Sequence, residues 1–191
     1  MIFFTADTHF GHKNIINYCG RPFISKEEHD ESLIARWNSA VKPGDIVYHL
    51  GDFGFGESKY LKNICDRLHG QINLIKGNHD KNVSQIASRF GFIKDTHLLE
   101  TKLLDKKLKI FLSHYPHRTW IHRPRNAYHL YGHVHGNMES YGLSFDVGVD
   151  SWNYTPISIE QVDTHVTVNL LPKWEEEKQR YNSKNVEVGK L

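Results

Sequence analysis

Five short apolar runs in this chain each break off directly into side chains that bind metals or protons. FFTA leads into Asp7 and His9, VYHLG into Asp52, LIKG into Asn78, His79 and Asp80, IFLS into His114, and HLYG into His133 and His135. Apolar runs of this length between turn residues read as buried strands. In layered α/β proteins ligand sites gather beyond the carboxyl ends of strands, so residues scattered from position 7 to position 135 are expected to converge. A lone Asp-Thr-His or Gly-His is a turn or a helix cap. The same arrangement five times over is what carries weight.

The intervening sequence fits that geometry. Strands are expected at Ile2–Ala6, Ile46–Leu50, Ile72–Ile75, Leu98–Leu104, Leu108–Leu112, Tyr128–Tyr131, Leu143–Val149 and Val166–Leu171. A helix opens at Ser25 with Glu28 at capping-box spacing, and Leu33, Ile34, Trp37 and Val41 line its apolar face before Pro43-Gly44 ends it. Amphipathic repeats over Glu57–Leu68 and Asn82–Phe90 predict two more helices. Alternating strands and helices, followed by strands joined by short turns, predict an α/β (α+β layered) protein with mixed sheets. Residues 1–172 read as one domain, and the polar stretch 173–191 as a surface helix or tail.

With 191 residues, the chain can bury roughly 70% of its unfolded surface. A net charge of +2 lacks the cationic bias of a dedicated nucleic-acid binder, so no stable nucleic-acid partner is implied. Cys19 and Cys65 have the spacing of neither a disulfide framework nor a thiolate metal site. No run approaches the ~20 apolar residues of a membrane span, and the opening run stops at Asp7, short of a secretory core. A soluble, cytoplasmic protein is expected.

Carboxylate, imidazole and amide donors without thiolate suit Mn²⁺, Fe, Zn²⁺, Co²⁺ or Ni²⁺, and disfavour copper(I), iron–sulfur clusters and structural zinc. Two such ions bring about +4 and the Asp7 and Asp52 carboxylates return about −2, which leaves the positive charge that a phosphate ester needs.

The blocks D-x-H, G-D, G-N-H-D, a strand-end His and G-H-x-H, in that order from Asp7 to His135, resemble those of the calcineurin-like metallophosphoesterases. The opening DTHFGH is similar to a small bacterial and phage branch. The resemblance implies a four-layer α/β/β/α sandwich and a centre of two divalent ions, manganese favoured. Asp7, His9 and His135 would hold the first ion, Asp52 would bridge, and Asn78, His114 and His133 would complete the second. It implies hydrolysis of phosphate esters by a hydroxide bridging the two ions. His79, oriented by Asp80, would protonate the leaving oxygen or stabilise its charge, or else serve as a hydrogen-bond donor to Asp52 or Asn78.

Departures from better-known branches narrow the substrate. GDFGFG lacks the D-R-G of protein phosphatases and dinucleoside-polyphosphate hydrolases, and NHD stands where protein phosphatases have NHE. Phosphodiesters, nucleotides among them, are the expected substrates; a phosphomonoesterase and a non-catalytic metal-binding scaffold are the alternatives. An HD-type phosphohydrolase would need its ligands on helices, and an amidohydrolase barrel needs ~250 residues. The segment Tyr115–Asn126 sets His117, Arg118, Arg123 and Arg125 beside Tyr115 and Trp120. Such a mixture grips phosphate and stacks a base, or is a solvated loop with Trp120 in the core. His12 reads as a structural histidine near the site, and His29, His69, His97 and His165 as surface residues.

Overall fold

The computed structural model describes residues 1–188, and the side chains of residues 1–179. Its strands fall into two mixed sheets. In the first, β1 (Ile2–Thr5), β2 (Ile46–His49), β3 (Gln71–Ile75) and β4 (Phe90–Lys94) run parallel, and β9 (Ile157–Ser158) joins β1 antiparallel, in the order β4-β3-β2-β1-β9. In the second, β5 (Thr96–Leu103) and β6 (Lys106–Ser113) form a hairpin that continues in parallel through β7 (Tyr128–Tyr131) and β8 (Ser144–Asp146).

Parallel neighbours need crossover helices. After the single turn α1 (Ile15–Tyr18), α2 (Lys26–Ala40) links β1 to β2, and α3 (Ser58–Arg67) links β2 to β3. The start of α2 follows its cap residues: Ser25 Oγ accepts from the Glu28 N–H at 3.1 Å, and the Glu28 carboxylate accepts from the Ile24 N–H at 2.7 Å.

Alternation along the first sheet decides what covers each face. Phe3, Val47, Ile72 and Leu74 join Leu33, Ile34 and Trp37 of α2 and Leu61 and Ile64 of α3 in one core. Phe4, Tyr48, Leu50 and Ile75 join Ile110, Leu112, Leu130 and Phe145 of the second sheet in the other. Each large apolar side chain so buried contributes about 1.5–3 kcal/mol. The outer face of the second sheet carries His129, held between Ser113 Oγ at 2.9 Å and Ser144 Oγ at 2.7 Å and packed against Trp120. These layers form the expected α/β sandwich, and they bring the carboxyl ends of β1, β2, β3, β6 and β7 to a common edge.

The strand expected at Val166–Leu171 is helical instead. A π-turn, Val166–Leu170, joins α4 (Ile159–His165) to α5 (Leu171–Val188). Val166, Val168 and Leu170 alternate like a strand, yet Val168 is exposed, while Val162, Val166, Leu170 and Trp174 are buried at four-residue spacing. A capping box between Ser158 and Gln161 starts the helix. Asn82–Phe90 forms 3₁₀ turns over Val83–Arg89, broken at Ile86, and β4 and β9 lie where no strand is expected. His29 is also not a surface residue: it is fully buried, with Nε2 at 2.8 Å from Arg21 and Nδ1 at 2.8 Å from Asp30. Residues 189–191 of the expected tail lie outside the described residues.

Candidate active site

Where the strands end, the backbone turns into an unusual conformation. Asp7, His9, Asp52, His133 and His135 have φ of 58, 50, 56, 72 and 49°, in the left-handed region that L-residues seldom adopt. Each costs on the order of 1–3 kcal/mol and persists only where the surroundings enforce it. They do so here: the Asp7 N–H donates to Gly51 O and the His9 N–H to Asp52 O, each at 2.9 Å, and the His133 N–H donates to the Asp7 carboxylate at 2.8 Å. Five of the seven expected ligands are thus held in strained backbone, and their side chains turn inward together.

They form two facing groups. Ligand atoms of Asp7, His9 and His135 lie within 4.8 Å of one another, as do those of Asp52, His114 and His133. Asp52 Oδ2 lies 3.5 Å from His9 Nε2 and 3.5 Å from His114 Nε2, so this carboxylate neighbours both groups. Asn78 Oδ1 lies 3.0 Å from His114 Nε2. His114 Nδ1 donates to Leu50 O at 2.8 Å, which fixes the ring and turns Nε2 toward the site. A side chain at Gly77 would run into the Asp52 carboxylate, so the approach of the β3 turn to Asp52 requires glycine.

The electrostatics fit divalent ions. Both ring nitrogens of His9 are buried without a hydrogen-bond partner, an expensive arrangement for a histidine that binds nothing. Burial, Arg21 and the neighbouring histidines hold its pKa far down, so the ring is a neutral donor. Burial drives the Asp7 carboxyl well above its usual range despite His135, and the charges of Asp146 and Asp52 add to that rise. Unlike His9, His135 is raised: burial lowers it, but the hydrogen bond to Asp150, the contact with Cys19 and the charge of Asp7 raise it to about 10. Crowded carboxylates and orphaned imidazole nitrogens together form a donor set that cations would satisfy.

Around these residues lies a layer that sequence reasoning missed. His135 Nδ1 bonds Asp150 Oδ2 at 2.7 Å, and Arg21 grips both Asp150 oxygens at 2.8 and 2.7 Å. Arg21 also donates to the carbonyls of Asp7 and Thr8. Asp146 accepts from the Gly136 and Gly148 N–H groups. Asp146 and Asp150 follow an apolar run as the other site residues do, a signal that could have found them. Cys19 lies beside His135 and Asp150 although its sequence spacing suggests no such grouping.

The His79 ring sits 5.4 Å from His9. Asp80 does not hold that ring. Its carboxylate accepts three backbone N–H groups, those of Asp52, Phe53 and Gly77, each at 2.8 Å, which fills most of its acceptor sites and clamps the β2 turn to the β3 turn. His12, read as structural, reaches the same cleft: its ring is 5.4 Å from His9 and 6.1 Å from His79.

A cavity of about 630 Å³ opens beside Asn78 and His114, lined by Lys76, Lys81, Tyr115 and His117. Of the residues expected to bind substrate, His117 faces this cavity. Arg118 lies instead over Tyr141 at 4.0 Å, and Arg123 packs over Trp174, Tyr141 and Trp120 at 4.4, 5.0 and 5.4 Å, donating to the Tyr141 hydroxyl at 3.0 Å. Arg125 is exposed, and Trp120 is buried.

Fold and site define a layered α/β protein whose strand ends converge on two facing groups of carboxylate and imidazole donors. The chain belongs to the calcineurin-like phosphoesterase superfamily, whose domain model matches residues 1–144. It is 34% identical over 170 residues to the uncharacterized protein MJ1445 of Methanocaldococcus jannaschii, covering 84% of this chain and 88% of that one. Identity to the Gene 66 protein of Mycobacterium phage L5 is 28% over 181 residues, 78% of this chain and 86% of that one. Among solved structures, the protein of unknown function AQ665 from Aquifex aeolicus matches with a TM-score of 0.69 and 28% identity, over 86% of this chain and 98% of that one. The superfamily acts on phosphate esters and typically uses divalent metals. No helix among the described residues is long and apolar enough to cross a membrane.

Proposed function

We propose that this chain is a binuclear metal-dependent phosphodiesterase, with Asp7, His9 and His135 holding one ion, Asn78, His114 and His133 the other, and Asp52 shared. The observation that carries this reading is the position of Asp52 Oδ2, 3.5 Å from a histidine of each group. When bound, a pair of divalent ions, manganese favoured, supplies positive charge for the phosphoryl oxygens and a water that loses its proton near neutral pH. Asp150, braced by Arg21, orients His135, and the Leu50 carbonyl orients His114. His79 stands unligated beside the first group, placed to give a proton to the departing oxygen.

The charge supply favours a diester. Lys76, at the cavity, is paired with Asp95 at 2.8 Å, Arg21 is consumed by Asp150, and Arg118 and Arg123 lie on aromatic rings. Two divalent ions against Asp7 and Asp52 leave about +2, which a hydroxide lowers to about +1 and a singly charged diester cancels; a doubly charged monoester would also draw on Lys81, exposed at the cavity wall. Of its segment, His117 and Tyr115 remain placed to contact substrate, at the cavity wall.

The test is hydrolysis of bis(p-nitrophenyl) phosphate with Mn²⁺ against EDTA, together with elemental analysis. Two ions per chain are expected, with activity falling to background in Asp52→Asn, because a neutral amide bridges poorly and changes the charge balance. Full activity with one ion or none would overturn the binuclear reading. A higher kcat/KM on p-nitrophenyl phosphate would make the protein a monoesterase.

A further inference from the structure

Beside His79, between the loops that follow β1 and β2, lies an aromatic surface that the two ligand groups do not use. The His12 ring stacks on Phe55 at 4.5 Å with an interplanar angle of 18°, and Tyr18 meets His12 edge-on at 6.2 Å. Phe55 and His12 both reach His79, at 5.1 and 6.1 Å. Phe55 nevertheless remains 40% exposed and Tyr18 74% exposed, so ring surface is left open to solvent beside His12 and His79.

This surface is built. The Phe10 N–H donates to Phe53 O at 3.0 Å and the Phe55 N–H to Phe10 O at 2.7 Å, which zips the first loop onto the second. Gly11 has φ +80°, and a side chain there would strike the Phe55 carbonyl, so only glycine permits this approach. The Gly11 N–H is held by the Asp30 carboxylate, which is braced by His29 and Tyr60. Within the stack, His12 Nδ1 is buried and has no hydrogen-bond partner, which leaves Nε2 as the nitrogen able to meet a ligand.

We propose that Phe55 and His12 form the seat for the substrate's leaving group, and that the group this seat takes is a nucleobase. The inference rests on the phosphodiesterase reading above and gives it a substrate class. A rigid exposed ring stacks on any base, because every base has a π-face. The position beside His79 is where the departing half of a diester would lie. The rings on and against the segment after His114 offer less: Trp120 is buried, Tyr141 is covered by Arg118 and Arg123, and Tyr115 stands edge-on to His114 and His133.

The experiment measures kcat/KM of the Mn²⁺-loaded protein on adenylyl-(3′,5′)-adenosine and on glycerophosphoethanolamine, a diester without a ring. In Phe55→Leu the ratio of the first to the second falls about five- to a hundredfold, the range for loss of one stacked base. Phe55→Trp keeps it. Saturation-transfer NMR with adenosine on the metal-free protein reads the same seat without turnover: base-proton signals are expected in the wild type and in Phe55→Trp, and lost in Phe55→Leu. An unchanged ratio and unchanged adenosine signals in Phe55→Leu would overturn the proposal. A wild type that cleaves neither diester counts against the phosphodiesterase reading, while the adenosine measurement still decides the seat.

Discussion

The Asp80 carboxylate accepts a hydrogen bond from the backbone N–H of Asp52 at 2.8 Å, and the N–H of His79, its neighbour in the chain, donates to the Asp52 side chain at 2.8 Å. The β2 and β3 turns therefore hold each other, and the shared candidate ligand is fixed at both its main chain and its side chain. Burial raises the Asp80 carboxyl against the pull of its N–H donors, which offsets part of the gain. In Asp80→Asn the amide NH₂ faces an N–H, and the net loss is about 1.5 kcal/mol. Calorimetry should show the Tm falling by roughly 3–6 °C for a chain of this size, with weaker Mn²⁺ retention. An unchanged Tm would rule out the clamp.

His79 secures Asp52 through its main chain rather than its ring. His79→Asn should therefore keep both ions by elemental analysis while kcat falls by about 10²–10⁴, the range for a positioned acid or base. An alkyl ester should lose far more than a nitrophenyl ester, since nitrophenolate departs without a proton. Equal losses on the two substrates would remove His79 from leaving-group assistance.

The metal-free protein should respond to pH from both sides. His135 is raised from 6.5 to about 10, so its stabilising contribution is complete below pH 6.5 and is lost as pH rises toward 10. The stability difference between wild type and His135→Gln, measured by urea unfolding in EDTA, should shrink across that window. Burial, with a neighbouring histidine, lowers His49 and His129 to about 3; their contribution is present above pH 6.5 and drains away as pH falls toward 3. The Ser113 and Ser144 hydroxyls that hold the His129 ring carry no charge, so burial sets this sign. His129→Gln should flatten the acid side, and a curve as steep as wild type would contradict it.

Arg123 and His117 should separate cleanly. Arg123 is packed among Trp120, Tyr141 and Trp174, where each cation–π contact contributes about 0.5–2 kcal/mol. Arg123→Ala should lower Tm by several degrees, at roughly 2–4 °C per kcal/mol, with KM for a nucleotide diester unchanged. His117→Ala, at the cavity wall, should raise KM. A raised KM in Arg123→Ala without loss of Tm would return Arg123 to substrate binding.

By itself the sequence determined the strand ends and the residues that follow them. An apolar run stopping at a polar residue is a local pattern, and the α/β layering follows from local alternation of strands and helices. The same locality explains the error at Val166–Leu171, where the residues satisfy a strand period and a helical one, and only burial of Val162, Val166, Leu170 and Trp174 on one side decides. Tertiary structure alone decided the rest. Arg21 meets Asp150 across 129 positions and Asp80 meets Asp52 across 28, and no local periodicity encodes either pairing. The left-handed backbone at Asp7, His9, Asp52, His133 and His135 is likewise invisible in the sequence, because Asp and His tolerate that region better than most residues without preferring it. It exists because the packed turns of two sheets overcome its cost, and that packing turns separate strand ends into one site.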